Sequence, residues 1–361
     1  MRCWAEINLE NLRKNVIELE KITAKKNIMT VVKANAYGHG MIEIFDELVN
    51  VGITWFGIAT FEEAMALRER NKEVNILIFG PIEKSSMKIA SENDLRFPIV
   101  SFDEIDYLNS NNINCNIHVK IDTGMGRVGF QYQDAEKAIE LIKNSSTINI
   151  EGIFSHLSSS ESNEEYTRSQ IEKFDLIVKN HKEIKYKHIL NSFGSVLYQD
   201  SIYDFIRPGI ILYGGVTEDE TSPYKFNQVM SLHARISFVK EMLEDGYISY
   251  GNKYKAQKGE KIATISIGYA DGVRRELANK GSVLYKGHKC KIVGTVCMDQ
   301  LMVLIPKEIA VVVDEYVEIF GENISAVEVA EICETISYEI VCGVSQRVPR
   351  KYINRKQSKR K

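Results

Sequence analysis

A chain of 361 residues has room for two domains, or for one large barrel with an appendage. Its 44% hydrophobic and 26% charged content is that of an ordinary globular protein, and a net charge of −3 argues neither for nucleic acid nor for an acidic membrane surface as a partner. Six cysteines without a Cys-x-x-Cys pair exclude the usual zinc and disulfide spacings. The start has no apolar signal core and no run is long enough to span a bilayer, so the expectation is a cytoplasmic protein with reduced thiols.

Residues 9–19 place Leu9, Leu12, Val16 and Leu19 at helical spacing with charges between them. An apolar run, 28–32, then ends abruptly at Lys33, and 41–49 returns to a helical pattern. Short apolar runs follow at 55–59, 76–79, 97–100, 117–121, 150–154, 186–190 and 205–211, with helix-type spacing at 62–70, 135–143 and 167–179. With the Lys33 run, that makes eight strands interleaved with helices. Such alternation predicts parallel strands with crossover helices. Eight units in this length fit an α/β fold of the (β/α)8 barrel type better than an open sheet.

The character changes near Pro223. Runs at 230–240, 261–267, 282–285, 289–296, 301–305 and 316–320 are alternating or continuous β, and only 326–333 reads as a helix. The division expected is a barrel over 8–224 and a mostly β domain over 225–361 that also takes in 1–7. Arg350, Lys351, Arg355, Lys356, Lys359, Arg360 and Lys361 make the end basic, which reads as a solvated tail.

In a barrel of this kind the chemistry gathers at the carboxyl ends of the strands. The first strand ends at Lys33, with Tyr37 after it. The fifth carries Lys120 and leads into a glycine-rich loop with Arg127. The sixth ends at His156, the seventh at Asn191 and Ser192, the eighth at Arg207, Gly209 and Ile210. A single strand-end lysine would ordinarily point into water; five polar endings on one rim make a site. A poorly solvated lysine there can be a nucleophile toward a carbonyl and hold an aldehyde cofactor. Loops after strands seven and eight are the usual phosphate cradle of the fold, here Ser192, Gly209 and Ile210. Lysine, cradle and Arg207 together suggest pyridoxal phosphate, with Arg207 against the ring nitrogen, an arrangement that favours simple proton transfer.

On these residues the chain resembles the bacterial alanine racemases over nearly its whole length. The matching motifs include Trp4-Ala-Glu-Ile-Asn8, Val32 to Gly40, Lys120 to Gly129, Gly152 to His156, Asn191-Ser192 and Arg207-Pro-Gly209. In the second half they are Ser249-Tyr-Gly251, Ile267 to Gly272, Cys297-Met-Asp-Gln300 and Arg347-Val-Pro-Arg350. The resemblance implies a head-to-tail homodimer in which each barrel site is completed by the other copy's second domain. It implies pyridoxal 5′-phosphate on Lys33, held by Tyr37, Asn191, Ser192, Arg207, Gly209 and Ile210. It assigns Lys33 and Tyr250 as the two catalytic acid/bases, with His156 and Arg207 tuning the tyrosine and Arg127 binding the substrate carboxylate or the cofactor's phenolate oxygen. Tyr269, Met298 and Asp299 match residues at the substrate pocket. Lys120 matches a lysine carbamylated in many relatives, a bound anion such as chloride being the competing arrangement. Two bases are what racemisation needs, since one group can only return a proton to the face it came from. The product implied is D-alanine for peptidoglycan.

One position departs. Many relatives have tyrosine just before Arg347-Val-Pro-Arg350, and this chain has Gln346. An amide leaves room and a hydrogen-bond partner for a hydroxymethyl group, which makes serine an alternative substrate. A cofactor-binding protein without turnover is the rival from another class. It would resemble a lone barrel without the Tyr250 domain. Cys297, beside a β run, is expected to be a small buried apolar residue rather than a nucleophile.

Overall fold

Short β-branched runs bury both faces when they lie side by side under helices, and here they curl into a ring. A computed structural model describes residues 1–355, so Lys356, Lys359, Arg360 and Lys361 of the basic tail lie outside the described residues. Seven parallel strands follow one another around the ring: Met29–Val31, Trp55–Ile58, Asn75–Ile78, Leu95–Ile99, Cys115–Asp122, Ile148–Phe154 and Tyr186–His188.

The expected eighth strand, 205–211, is much shorter. Ile206 forms a single parallel bridge to Ile28, and residues 210–213 coil into a 3-10 turn because Pro208 has no N–H to continue a ladder. The ring nevertheless closes. On one side Arg207 N–H donates to the Leu190 carbonyl at 3.1 Å; on the other Met29 and Val31 N–H groups donate to the Ile206 and Pro208 carbonyls, each at 3.0 Å. Phe205 and Arg207, two residues apart, share one face of this segment. Phe205 joins Met29, Trp55 and Leu77 in an apolar cluster.

Helices absent from the sequence reading, Lys84–Glu92 and Phe102–Ser110, complete the alternation. Their polar outer faces dilute the periodic signal. Among the described residues no helix is long and apolar enough to cross a membrane, and all six cysteines are free thiols.

The second sheet gathers both ends of the chain. Cys3–Asn8 runs antiparallel to Met230–Glu241, pairing Ile7 with Met230, and parallel to Arg350–Ile353. Lys261–Ile265 and Leu301–Ile305 extend it beyond Met230–Glu241, and Tyr316–Phe320, Ser282–Tyr285 and His288–Lys291 lie on the other flank. The run expected over 289–296 ends at Lys291, and Gly294 turns the chain with a φ of 75°. A second short helix, Ser337–Cys342, follows Ala326–Ile332 and packs against the segment after Lys33.

Candidate active site

After Val31 the backbone departs from what periodicity predicts. Ala34, Asn35, Ala36 and Tyr37 have φ values of 53°, 55°, 53° and 52°, a left-handed turn made of residues other than glycine. Such residues cost about 1–2 kcal/mol each, so the turn has to be held from outside. Glu63 accepts from the Ala34 N–H at 2.7 Å, while its other oxygen caps the helix Phe61–Arg70. Asn35 Oδ1 accepts from the Met41 N–H at 2.8 Å. From the last strand, Arg350 donates to the Gly38 carbonyl and Tyr352 Oη to the His39 carbonyl, both at 3.0 Å. The second sheet therefore braces the turn that presents Lys33.

Lys33 is half-buried. Burial, and then the nearby Arg127 charge, push its ammonium below the ordinary lysine value. Lys120 lies within its strand, donates to the Phe79 carbonyl at 2.8 Å and sits 5.1 Å from the centre of the Phe154 ring. Burial, with Arg127, Arg207 and Lys33 adding to it, brings Lys120 down to about 7. Arg127 is on an exposed loop whose backbone is caged by Asp122, which accepts from the Gly124, Gly126 and Arg127 N–H groups. Arg207 is buried and donates to the Ser155 and Ile189 carbonyls at 2.7 and 2.9 Å. One of its nitrogens is 3.3 Å from His156 Nδ1. Burial and the Arg207 charge hold His156 neutral, well below the usual histidine range.

Beside these cations is a cradle. Gly209 N–H donates to Ser192 Oγ at 2.8 Å, and a Cβ on Gly209 would meet Tyr37 Oη at 2.3 Å, so only bare backbone fits there. Tyr37 is buried against Tyr213, their rings 5.0 Å apart, and burial raises its phenol above the ordinary value, which keeps the proton on. Ile210 opens the 3-10 turn. Asn191 is committed locally: its side-chain oxygen accepts from the Gly194 N–H at 2.9 Å and from Ser160 Oγ at 2.8 Å, capping the short helix Ser192–Leu197.

Residues 7–217 match the family described as alanine racemase, N-terminal domain, and 229–352 match alanine racemase, C-terminal domain. A curated alanine racemase of Fusobacterium nucleatum subsp. nucleatum is 39% identical over 358 residues, covering 97% of this chain and 99% of its own. The solved alanine racemase of Clostridium difficile 630 superposes with a TM-score of 0.91 at 34% identity, over 98% of this chain and 96% of its own. That of Streptomyces coelicolor A3(2) gives a TM-score of 0.92 at 29% identity, over 98% of both chains. The chain belongs to the alanine racemase family.

The remaining residues singled out from the family motifs lie in the second domain. Tyr250 is 74% exposed, and its carbonyl accepts from Thr295 Oγ1 at 2.8 Å. The largest charge effects on Lys33 come from Arg127, Glu63, Cys342 and Arg207, and Tyr250 is not among them. Tyr269 and Met298 are also exposed and are joined through backbone bonds, Tyr269 N–H to the Cys297 carbonyl and Ala270 N–H to the Met298 carbonyl, each 3.0 Å. Asp299 pairs with Arg347 at 2.7 Å. Cys297 is half-buried rather than buried, its Sγ 3.3 Å from Ser249 Oγ. Sequence reasoning missed the groups behind Arg207, namely His188, His118 and Glu151. His118, Glu151 and His188 all lay inside predicted strands, at 117–121, 150–154 and 186–190.

The lowered Lys120 value has a consequence for stability. Between about pH 7 and the unfolded lysine value of about 10.4, the unfolded chain holds a proton that the folded protein has released, so this group makes stability rise with pH across that window. Below it the full penalty of a buried cation applies. Lys120→Met should therefore raise the urea midpoint relative to the parent at pH 6 and lose that advantage by pH 10.

Proposed function

We propose that this family member is an isomerase that interconverts L- and D-alanine by two-base proton transfer, as a homodimer using pyridoxal 5′-phosphate, and so supplies D-alanine for peptidoglycan. The observation that carries the reading is Lys33, half-buried beside Arg127 and Arg207 at the mouth of a barrel, next to a backbone cradle that admits no side chain. The cofactor fits these residues on chemical grounds. Lys33, Lys120, Arg127 and Arg207 have no ion-pair partner among the described residues, and the two guanidinium groups suit a phenolate oxygen and a substrate carboxylate. Tyr37, Ser192, Gly209 and Ile210 would hold the phosphate, with Asn191 shaping the loop beneath them. Arg207, held by the Ser155 and Ile189 carbonyls, would face the ring nitrogen as a hydrogen-bond donor. When bound, pyridoxal phosphate supplies an electron-withdrawing ring that acidifies the substrate's α-hydrogen.

The chain's own part is to move that proton between two faces. Lys33 Nζ, with its ammonium destabilised, accepts and returns a proton on one face. Tyr250 of the partner subunit serves the other. Support for this arrangement comes from three large side chains left in solvent on one domain, Tyr250, Met298 and Tyr269, at 74%, 53% and 42% exposure. Arg127 orients the carboxylate, and Asp299 stands near Tyr269 and Met298 at the rim. The division at 8–224 and 225–361, with 1–7 joining the second part, would put one base in each unit.

Neutral amines, and not ammonium ions, add carbon dioxide. A Lys120 that loses its proton near neutrality is therefore suited to becoming a carbamate whose charge positions Arg127. Protein equilibrated with 13C-bicarbonate should show a carbamate carbon by NMR, absent in Lys120→Met; no signal in the parent would leave a bound anion in that place.

Lys33→Ala and Tyr250→Phe should each lower racemisation by about 10²–10⁴-fold. Mixed and refolded together, the two inactive variants should recover about a quarter of the parent activity, because half of the dimers carry one site with both bases. Failure to recover would refute the shared site.

Gln346 supports serine as a second substrate. It is exposed and lines a cleft with Ala34, Asn35, Glu63 and Cys342 beside the Lys33 turn. Catalytic efficiencies within tenfold for L-alanine and L-serine are expected, and Gln346→Tyr should cut the serine value selectively. A serine value unmoved by that change would remove the basis for this second substrate.

A further inference from the structure

Arg207 is a buried cation that touches no carboxylate. Its partners are two backbone carbonyls and two imidazoles, and the closer imidazole is His188, whose Nδ1 lies 2.7 Å from the guanidinium. A guanidinium can only donate, so His188 Nδ1 must be bare and its proton must sit on Nε2. That nitrogen is 2.9 Å from His118 Nδ1, which must then accept, placing the second proton on His118 Nε2. His118 Nε2 has no hydrogen-bond partner among the described residues and faces Glu151 Oε2 at 3.8 Å, a charge–dipole contact. The same carboxylate oxygen accepts from Arg96 Nε at 2.8 Å.

Every donor in this row points the same way, from Arg207 to Glu151. Both imidazoles are fully buried. Room for the row is built in: a Cβ on Gly152 would come 2.5 Å from His118 Nδ1 and 2.6 Å from its Cε1. Burial keeps both rings from protonating, with Arg207 adding to the effect at His188. A charged ring at either place would set N–H against N–H.

We propose that His188, His118 and Glu151 form a one-directional row, ending at the Arg96-paired carboxylate, that locks the Arg207 guanidinium in orientation. His118 and Glu151 are then positioning residues for the proton transfer assigned above. The functional half of this inference rests on the racemase reading; the proton arrangement does not.

Two measurements test it. Histidine-selective 15N labelling, on cofactor-free and cofactor-loaded protein, reads the protonation of each ring at pH 7, with His118→Asn and His188→Asn used for assignment. Both residues should show a bare Nδ1 and a protonated Nε2 in both forms; a doubly protonated ring, or a proton on Nδ1 in either, overturns the row. Kinetically, Glu151→Gln should lower kcat about tenfold with KM for alanine within twofold, and in an Arg207→Lys background the same change should move kcat by less than twofold. Equal losses in the two backgrounds, or an unchanged kcat in the parent, would show that Glu151 is scaffold only. If the chain had no racemase activity the function would fail, while the nitrogen spectra would still decide the row.

Discussion

Four cationic side chains, Lys33, Lys120, Arg127 and Arg207, crowd the mouth of one barrel, and the carboxylates nearest to them are already engaged. Asp122 is occupied by the N–H groups of the glycine loop, and Glu63 by the N–H groups of Ala34, Ala59 and Thr60. Like charges in a poorly solvated place disfavour one another's charged forms. Burial first, and then these neighbouring charges, lower Lys33 and Lys120 and keep His156 neutral. The same charges also make the mouth a place that attracts anions. The proposed proton carrier, Lys33, and the proposed anion pocket thus share one poorly solvated, cation-rich setting.

Such crowding is costly, and the scaffold shows how it is held. The left-handed turn after Lys33 is braced by Glu63 from the barrel and by Arg350 and Tyr352 from the second sheet. Arg207 is gripped by two carbonyls and two imidazoles, and the row through His188 and His118 ends at Glu151, which is paired with Arg96. Beneath these groups the apolar cluster of Met29, Trp55, Leu77 and Phe205 packs against Tyr186. The second domain therefore acts on its own barrel through Arg350 and Tyr352, while the face bearing Tyr250, Tyr269 and Met298 is left outward. The former is contact within one chain; the latter is the surface on which the proposed shared site depends.

Much of the arrangement was legible before any coordinates. The period-2 and period-3.6 patterns located seven of the barrel strands and the change to β structure after Pro223. The polar residues at their carboxyl ends, from Lys33 to Arg207, were found because fold geometry says where such ends meet. Hydrophobic pattern failed where it carries least information. The eighth strand shrank to a bridge at Ile206 because a proline interrupts the ladder, and the helices at 84–92 and 102–110 passed unnoticed because their apolar stripes are thin.

By itself the sequence determined the class of fold and the family, since these follow from periodicity and ordered motifs, and its strand-end positions pointed to the rim on which the chemistry is proposed to sit. Tertiary structure alone decided that four successive residues after Lys33 take left-handed conformations, because their support comes from residues about 30 and more than 300 positions away. It also decided that two histidines and a glutamate stand behind Arg207. Hydrogen-bond direction depends on which atoms meet across strands, and no one-dimensional spacing encodes that meeting.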